Sequence, residues 1–208
     1  MFSPLVLDPL STIFSPVVLD PMRRGKGRTI KIDPTDSLLL TGIGGGQHTS
    51  QTVLGMRGIE LRKGSGEQGY FEVRIVRAAP RGADYWCTKF GLANLDMCFG
   101  KPLGLQRGCL GWAQLGAIGS GLPGTAERFY GRVDARMFTT GDVVGLMVDC
   151  TAEPTLGFFV NGVQVHRVVV AQEGYGLVLF PAFSFTMWTG QIHIASNPNF
   201  PSFSHESW

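Results

Sequence analysis

Apolar and polar residues alternate along much of the chain. In the segment 70–76, Phe71, Val73 and Ile75 fall on one side of an extended chain while Glu72 and Arg74 fall on the other, the period-2 mark of a half-buried strand. Segment 141–149, GDVVGLMVD, is more continuously apolar and predicts a central strand. The runs TLGFFV and VQVHRVVV are separated by Asn161-Gly162, the favoured two-residue hairpin turn, because both positions accept positive φ. Further strands are expected at 176–185 and 190–196, the latter with Ile192 and Ile194 inward and Gln191 and His193 outward; His166 is likewise expected to point outward. Strands recurring at roughly ten-residue spacing between turn signals predict an antiparallel sandwich or barrel.

Composition removes the alternatives. The chain of 208 residues carries 29 Gly and 12 Pro, and its longest stretch free of both, 163–173, is eleven residues and holds five valines. Helices average about eleven residues and need good formers inside, so an all-helical fold and a series of βαβ units are both excluded. With 44% apolar residues, one domain can bury a sizeable core. A net charge of +2 gives no footprint for nucleic acid, and Arg23, Arg24, Lys26 and Arg28 read as a solvated linker. Cys87, Cys98, Cys109 and Cys150 form no CxxC pair, which points to free thiols in a reducing compartment. The apolar N-terminus is broken by Pro4, Pro9 and Pro16 and has no basic residue before Arg23, which argues against a signal peptide or a mitochondrial presequence. No apolar run approaches the roughly 18 residues of a membrane span, so no membrane partner and a cytoplasmic location are expected.

The first residues repeat. FSPLVLDP at 2–9 returns as FSPVVLDP at 14–21, a shift of twelve residues. Two copies are too few for a solenoid. They read as one strand of the domain plus a duplicated tail, or as a pair of docking motifs. The expected layout is an N-terminal arm with a basic glycine-rich linker at 1–28, a compact domain at 29–200 and a tail at 201–208.

Catalytic patterns are weak. GSGEQG at 64–69 and GSGLPG at 119–124 match GxGxxG, but the first precedes a strand and the second contains Pro123, so Gly64, Gly66, Gly119 and Gly121 are expected at turns, not at a dinucleotide. GIGGG at 42–46 lacks the Lys-Ser/Thr of a phosphate loop. There is no GxSxG elbow, and His48, His166, His193 and His205 are scattered without metal-ligand spacing. Asp142 and Asp149, seven residues apart on one strand, would be more than about 20 Å apart at roughly 3.3 Å per residue, too far for a glycosidase pair. The expectation is no catalytic residue, no metal and no cofactor. What remains is aromatic residues beside glycine turns: Tyr85, Trp86 and Trp188 as interface candidates, and Trp112 as a plug of the core.

In order along the chain stand GYFEVRIV (69–76), KFGLANLD (89–96), LGWAQLG (110–116), GDVVGLMVDC (141–150), TLGFFVNGVQV (155–165), LFPAFSF (179–185) and the closing QIHIAS. This series resembles a SPRY domain, with VVLDP at 17–21 similar to the LDP element of a PRY-like segment. The resemblance implies a bent antiparallel β-sandwich of concanavalin-like jelly-roll architecture, no catalytic residues, and a binding surface on the loops at one end. The loop layout is nearest to SPRY proteins that carry a SOCS box and bind short acidic, Asn-rich peptides. Residue by residue, the resemblance implies partner contacts at Gln47, His48 and Ser50 in a first loop, Arg81 and Gly82 in a second, and Trp188 with its neighbour Thr189 in a third; Trp86, one of the aromatics beside glycine turns, joins the second. The loop that bears a tyrosine in the peptide binders reads CFGKPLGLQRG here, and no SOCS box, RING or coiled coil is read in the chain. An arginine for a carboxylate beside an aromatic wall suits an extended peptide. The expected function is a non-enzymatic protein-interaction module. Its competitors are a structural subunit docked in a larger assembly through the N-terminal repeat, and a lectin-like carbohydrate binder; the SPRY likeness at the level of fold does not choose among them.

Overall fold

Alternation of side chains becomes two layers in the computed structural model, which describes residues 19–24, 30–43, 50–78, 88–97, 101, 103–104, 106–125, 137–186, 190–196 and 198. The strands are β1 (Leu19–Arg24), β2 (Ile30–Ile32), β3 (Leu39–Gly42), β4 (Ser50–Gly55), β5 (Ile59–Glu60), β6 (Gln68–Arg77) and β7 (Lys89–Ala93). They continue with β8 (Cys109–Ala113), β9 (Ile118–Ser120), β10 (Val143–Asp149), β11 (Thr155–Val160), β12 (Val163–Val169), β13 (Val178–Thr186) and β14 (Gln191–Ile194). Sheet A runs β1-β4-β13-β7-β8-β9, with β5 also on β13; sheet B runs β12-β11-β10-β6-β14-β3-β2. Every pairing is antiparallel. The fold is all-β, and among the described residues the one helical turn is a 3-10 turn at Gln172–Gly174.

The core forms where the two inner faces meet. Phe71, Val73 and Ile75 of β6 are buried in it, as their alternation predicts. Phe71 meets Phe183 of sheet A edge-on at 5.6 Å, and Trp112 of sheet A meets Phe158 of sheet B edge-on at 5.5 Å. Trp112 is the expected plug: Phe90 and Phe138 close around it at 5.0 and 5.4 Å, distances at which edge-on and tilted rings attract. Segment 141–149 forms β10, flanked by β11 and β6, so it is a central strand.

The Asn161-Gly162 turn is present with φ of 52° and 77°, the left-handed values an Asn-Gly turn supplies. Its side chain does more than turn the chain. Asn161 Oδ1 accepts from the Val143 N–H at 2.8 Å, and Asn161 Nδ2 donates to Asp142 Oδ1 at 2.9 Å, while Asp142 Oδ2 accepts from the Thr139 N–H at 2.7 Å. The GDVVG strand and the NG hairpin are thus one hydrogen-bonded corner.

Three expectations change. Glu72 faces away from the core yet is buried, because Tyr70, Met147 and Phe159 form a second small cluster on the outer face of sheet B. Gly145 leaves room there for the Tyr70 ring, whose hydroxyl donates to Glu72 Oε1 at 2.7 Å. Burial, and then the Glu72 carboxylate, push the Tyr70 hydroxyl well above the usual tyrosine range. His166 does not point outward: it pairs with Phe158, a core residue, and its ring lies 5.7 Å from the phenyl ring, half-buried at the sheet edge. His193 does face outward, where Nε2 meets Asp36 Oδ2 at 2.9 Å.

The third change concerns glycine. Gly64 and Gly66 have positive φ with open space around them, as turn positions do. Gly119 lies inside β9 and Gly121 directly after it, and neither is a turn residue. A Cβ at Gly119 would sit 2.6 Å from the Gly104 carbonyl oxygen, and one at Gly121 would sit 1.9 Å from that of Gln106. They are bare so that another stretch of main chain can lie on them.

Proline placement follows the same logic. Pro181 interrupts β13, an interior strand, where a missing N–H would ordinarily break a ladder. It falls between the last β4 pair, Ala182 with Leu54, and the first β5 pair, Leu179 with Ile59, and its ring rests against Gly55.

Candidate functional site

Antiparallel pairing decides which loops share an end. In sheet A, Thr186 pairs with Ser50, Ser184 with Lys89, and Lys89 with Ala113. In sheet B, Gln191 pairs with both Arg77 and Thr41, and Ile30 pairs with Gly42. The segments 44–49, 79–87 and 187–189 therefore begin and end on the same strand ends.

Direct bonds and one close approach tie those stems, within each sheet and between the two. The Gly42 N–H donates to the Gly190 carbonyl at 2.8 Å, joining the stems of the first and third segments. Gly190 in turn abuts the second: a Cβ there would lie 2.5 Å from Thr88 Oγ1 and 3.5 Å from the Arg77 carbonyl oxygen. The fully buried Gln51 accepts from the Ile30 N–H at 2.9 Å, and the Ala78 N–H donates to Thr140 Oγ1 at 2.9 Å. The Gln114 N–H donates to the Thr88 carbonyl at 3.2 Å, which brings the β8–β9 turn to the same end.

Of the residues expected to contact a partner, Gln47, His48, Arg81, Gly82, Trp86, Trp188 and Thr189 lie outside the described residues, as does Tyr85. Ser50 opens β4, main chain paired with Thr186. Arg77, exposed at the end of β6 and making no ion pair among the described residues, adds a positive charge at the root of the 79–87 segment. Its place at a strand end next to a Pro-Arg-Gly stretch was the sequence signal available for it.

One segment on the outer face of sheet A reaches toward these stems. Residues 101, 103–104 and 106–107 belong to the connection between β7 and β8; 101 and 103 are bonded from the stem end, and 106 and 107 lie over Gly121 toward the opposite end. A Cβ on Gly111 would sit 2.7 Å from the Leu103 carbonyl carbon, as Gly119 and Gly121 meet Gly104 and Gln106. Leu103 and Met97 pack there with Leu54, Ala93, Cys109, Phe180 and Ala182 as a separate apolar cluster. Gly104, with φ of 77°, turns the segment and its N–H reaches Cys109 Sγ at 3.1 Å. Polar side chains also bind this segment from beneath, and sequence reasoning missed them: Lys89 Nζ donates to the Leu103 carbonyl at 3.1 Å and Thr52 Oγ1 to that of Lys101 at 3.4 Å.

Among the described residues no cluster of three His, Cys, Asp or Glu side chains is placed to hold a metal, and no helix is long and apolar enough to cross a membrane. Cys109 and Cys150 are buried thiols, and burial pushes the Cys150 thiol above its ordinary range.

By sequence, no family model matches the chain and no curated protein is similar to it. By structure it is similar to solved SPRY domains. A human SPRY domain superposes with a TM-score of 0.61 at 18% identity, covering 83% of this chain and 98% of that one. The SPRY domain of human HERC1 gives 0.59 at 15% identity, covering 86% and 97%. The TRIM65 PSpry domain gives 0.53 at 14%, covering 86% and 91%. The ordered motifs of the sequence and the two antiparallel sheets they build agree: this chain has the fold of a SPRY domain.

Proposed function

We propose that this chain is a non-enzymatic protein-interaction module that takes an extended peptide or protein partner on the loops at one end of the sandwich. The observation that carries the reading is the convergence of the stems of 44–49, 79–87 and 187–189, tied by the Gly42–Gly190 bond and the Gly190–Thr88 contact. Rigid strands that deliver three loops to one place make a preorganised surface, which reduces the ordering cost of binding.

In this reading Arg81 grips a carboxylate by paired hydrogen bonds, Trp188 and Trp86 supply a stacking wall, and Gln47, His48, Ser50 and Thr189 bind main-chain amides of the partner. Gly82 lets the chain approach closely. Arg77 beside that site favours an acidic, Asn-rich ligand. Buried thiols fit a cytoplasmic setting. Co-purification with mass spectrometry tests the reading: Arg81→Glu and Trp188→Ala are expected to lose the partners that the wild-type chain retains. Unchanged partners, with the folded state intact by circular dichroism, would show the site to be elsewhere.

A second reading rests on the N-terminus. The end of the second repeat copy, Leu19 to Pro21, enters β1 at the edge of sheet A on β4, and in this reading the matching first copy at 2–9 docks the domain into a larger assembly. Deleting residues 1–12 separates the two: a dock loses incorporation into the assembly, whereas the loop-end surface keeps its partners.

A further inference from the structure

Lys89 is the first residue of β7, directly after segment 79–87 and Thr88. Phe90 and Leu92 turn into the main core, so Lys89 projects onto the opposite face of sheet A. It is only 6% exposed there. Its cross-strand neighbour Ser184 and, one strand further, Thr52 are fully buried in the same row. Both described bonds from this row, Lys89 Nζ to the Leu103 carbonyl and Thr52 Oγ1 to the Lys101 carbonyl, end on the main chain of one segment.

The rest of that face is apolar or bare. Leu54, Ala93, Cys109, Phe180 and Ala182 pack under Leu103, and Gly111, Gly119 and Gly121 carry the main chain of Leu103, Gly104, Gln106 and Arg107. An apolar side chain in place of Lys89 would cover the same area without the cost of burying a polar group, and such replacements are often neutral or stabilising to the whole fold. What the amine adds is direction at the stem end: it selects one position for the Leu103 carbonyl, between the Thr52 bond to Lys101 and the Gly104 bond to Cys109.

We infer that Lys89 is a positioning residue of the partner surface, holding the main chain at 101 and 103–104 as a preformed wall beside the three loop stems. The inference rests on the partner surface being at this end, as proposed above. Without the amine the wall keeps its apolar contacts and loses its fixed position, so a partner must order it on binding.

The test joins amide hydrogen exchange with binding of a fluorescein-labelled peptide of alternating Asp and Asn. In Lys89→Met, the amides of 101, 103 and 104 are expected to exchange at least tenfold faster, while those of β10 and β11 and the melting temperature stay near wild type. Peptide affinity is expected to fall about tenfold, and Lys89→Arg, which keeps a donor, to recover much of both. Thr52→Val gives a milder version of the same pattern and serves if Lys89→Met does not fold. Unchanged exchange at 101, 103 and 104, or exchange that rises equally in β10 and β11, overturns the inference. So does faster exchange of the wall with undiminished peptide binding. If instead Arg81→Glu and Trp188→Ala leave peptide binding intact, the site reading is what fails, and the exchange data still report on Lys89.

Discussion

Single glycines divide by what stands next to them. At Gly64, Gly66, Gly141 and Gly162 the conformation is the reason for glycine, since φ is positive and the surroundings are open. At Gly119, Gly121 and Gly145 the reason is a neighbour. A Cβ on Gly145 would meet the Tyr70 hydroxyl oxygen at 2.2 Å, and that hydroxyl is held by Glu72 within a buried cluster. Gly145→Ala is therefore expected to destabilise the domain by about 1–3 kcal/mol, the usual range for overpacking, and to do so without changing exchange at 101, 103 and 104. Chemical denaturation measures the first and amide exchange the second. Gly162→Ala, in open space, has no such clash, and its cost is only the left-handed φ, roughly 1–2 kcal/mol. The sequence showed glycine excess and could not sort these kinds, because a spacing pattern such as GSGLPG records where side chains are missing and not what fills the gap.

Elements were more legible than residues. The alternation of 70–76 marks the core face of β6 correctly, and Asn161-Gly162 marks the β11–β12 hairpin, because period and turn chemistry are local properties of the chain. Alternation names a face but not its covering, which is why Glu72 was expected to face away from the core and is nonetheless buried, and why nothing in the pattern marks Lys89 as buried. His166 was misplaced for a related reason. Between Phe158 and Phe159 the β11–β12 register shifts, so strict alternation along β12 assigns its side chains to the wrong faces. The corner where GDVVG meets the hairpin is a further element-level property. Asn161→Ala removes the bonds to the Val143 N–H and to Asp142 and leaves a non-glycine residue at φ of 52°. About 1–3 kcal/mol of stability is expected to be lost, from the two bonds together with the unfavourable backbone. Asn161→Gly, which relieves only the backbone, is expected to recover a part of it.

At the scale of the molecule, function follows from which strand ends coincide. Sheet order places β3, β4, β6, β7, β13 and β14 so that three loops far apart in sequence start within bonding distance of one another. The order of motifs made the SPRY likeness readable, and through it the loops that matter, but the bonds that join their stems, Gly42 to Gly190 and Ile30 to Gln51, cross between segments that no local pattern links. The partner-facing side chains themselves, from Gln47 to Thr189, rest on the resemblance and on this convergence. Site-specific photo-crosslinking addresses that claim directly. With a benzophenone amino acid in place of His48, Trp86 or Trp188, the same partner is expected to be captured from all three positions, and none from Arg167 on the exposed edge of β12. Capture from Arg167 with no product from the three loops would contradict a loop-end partner surface.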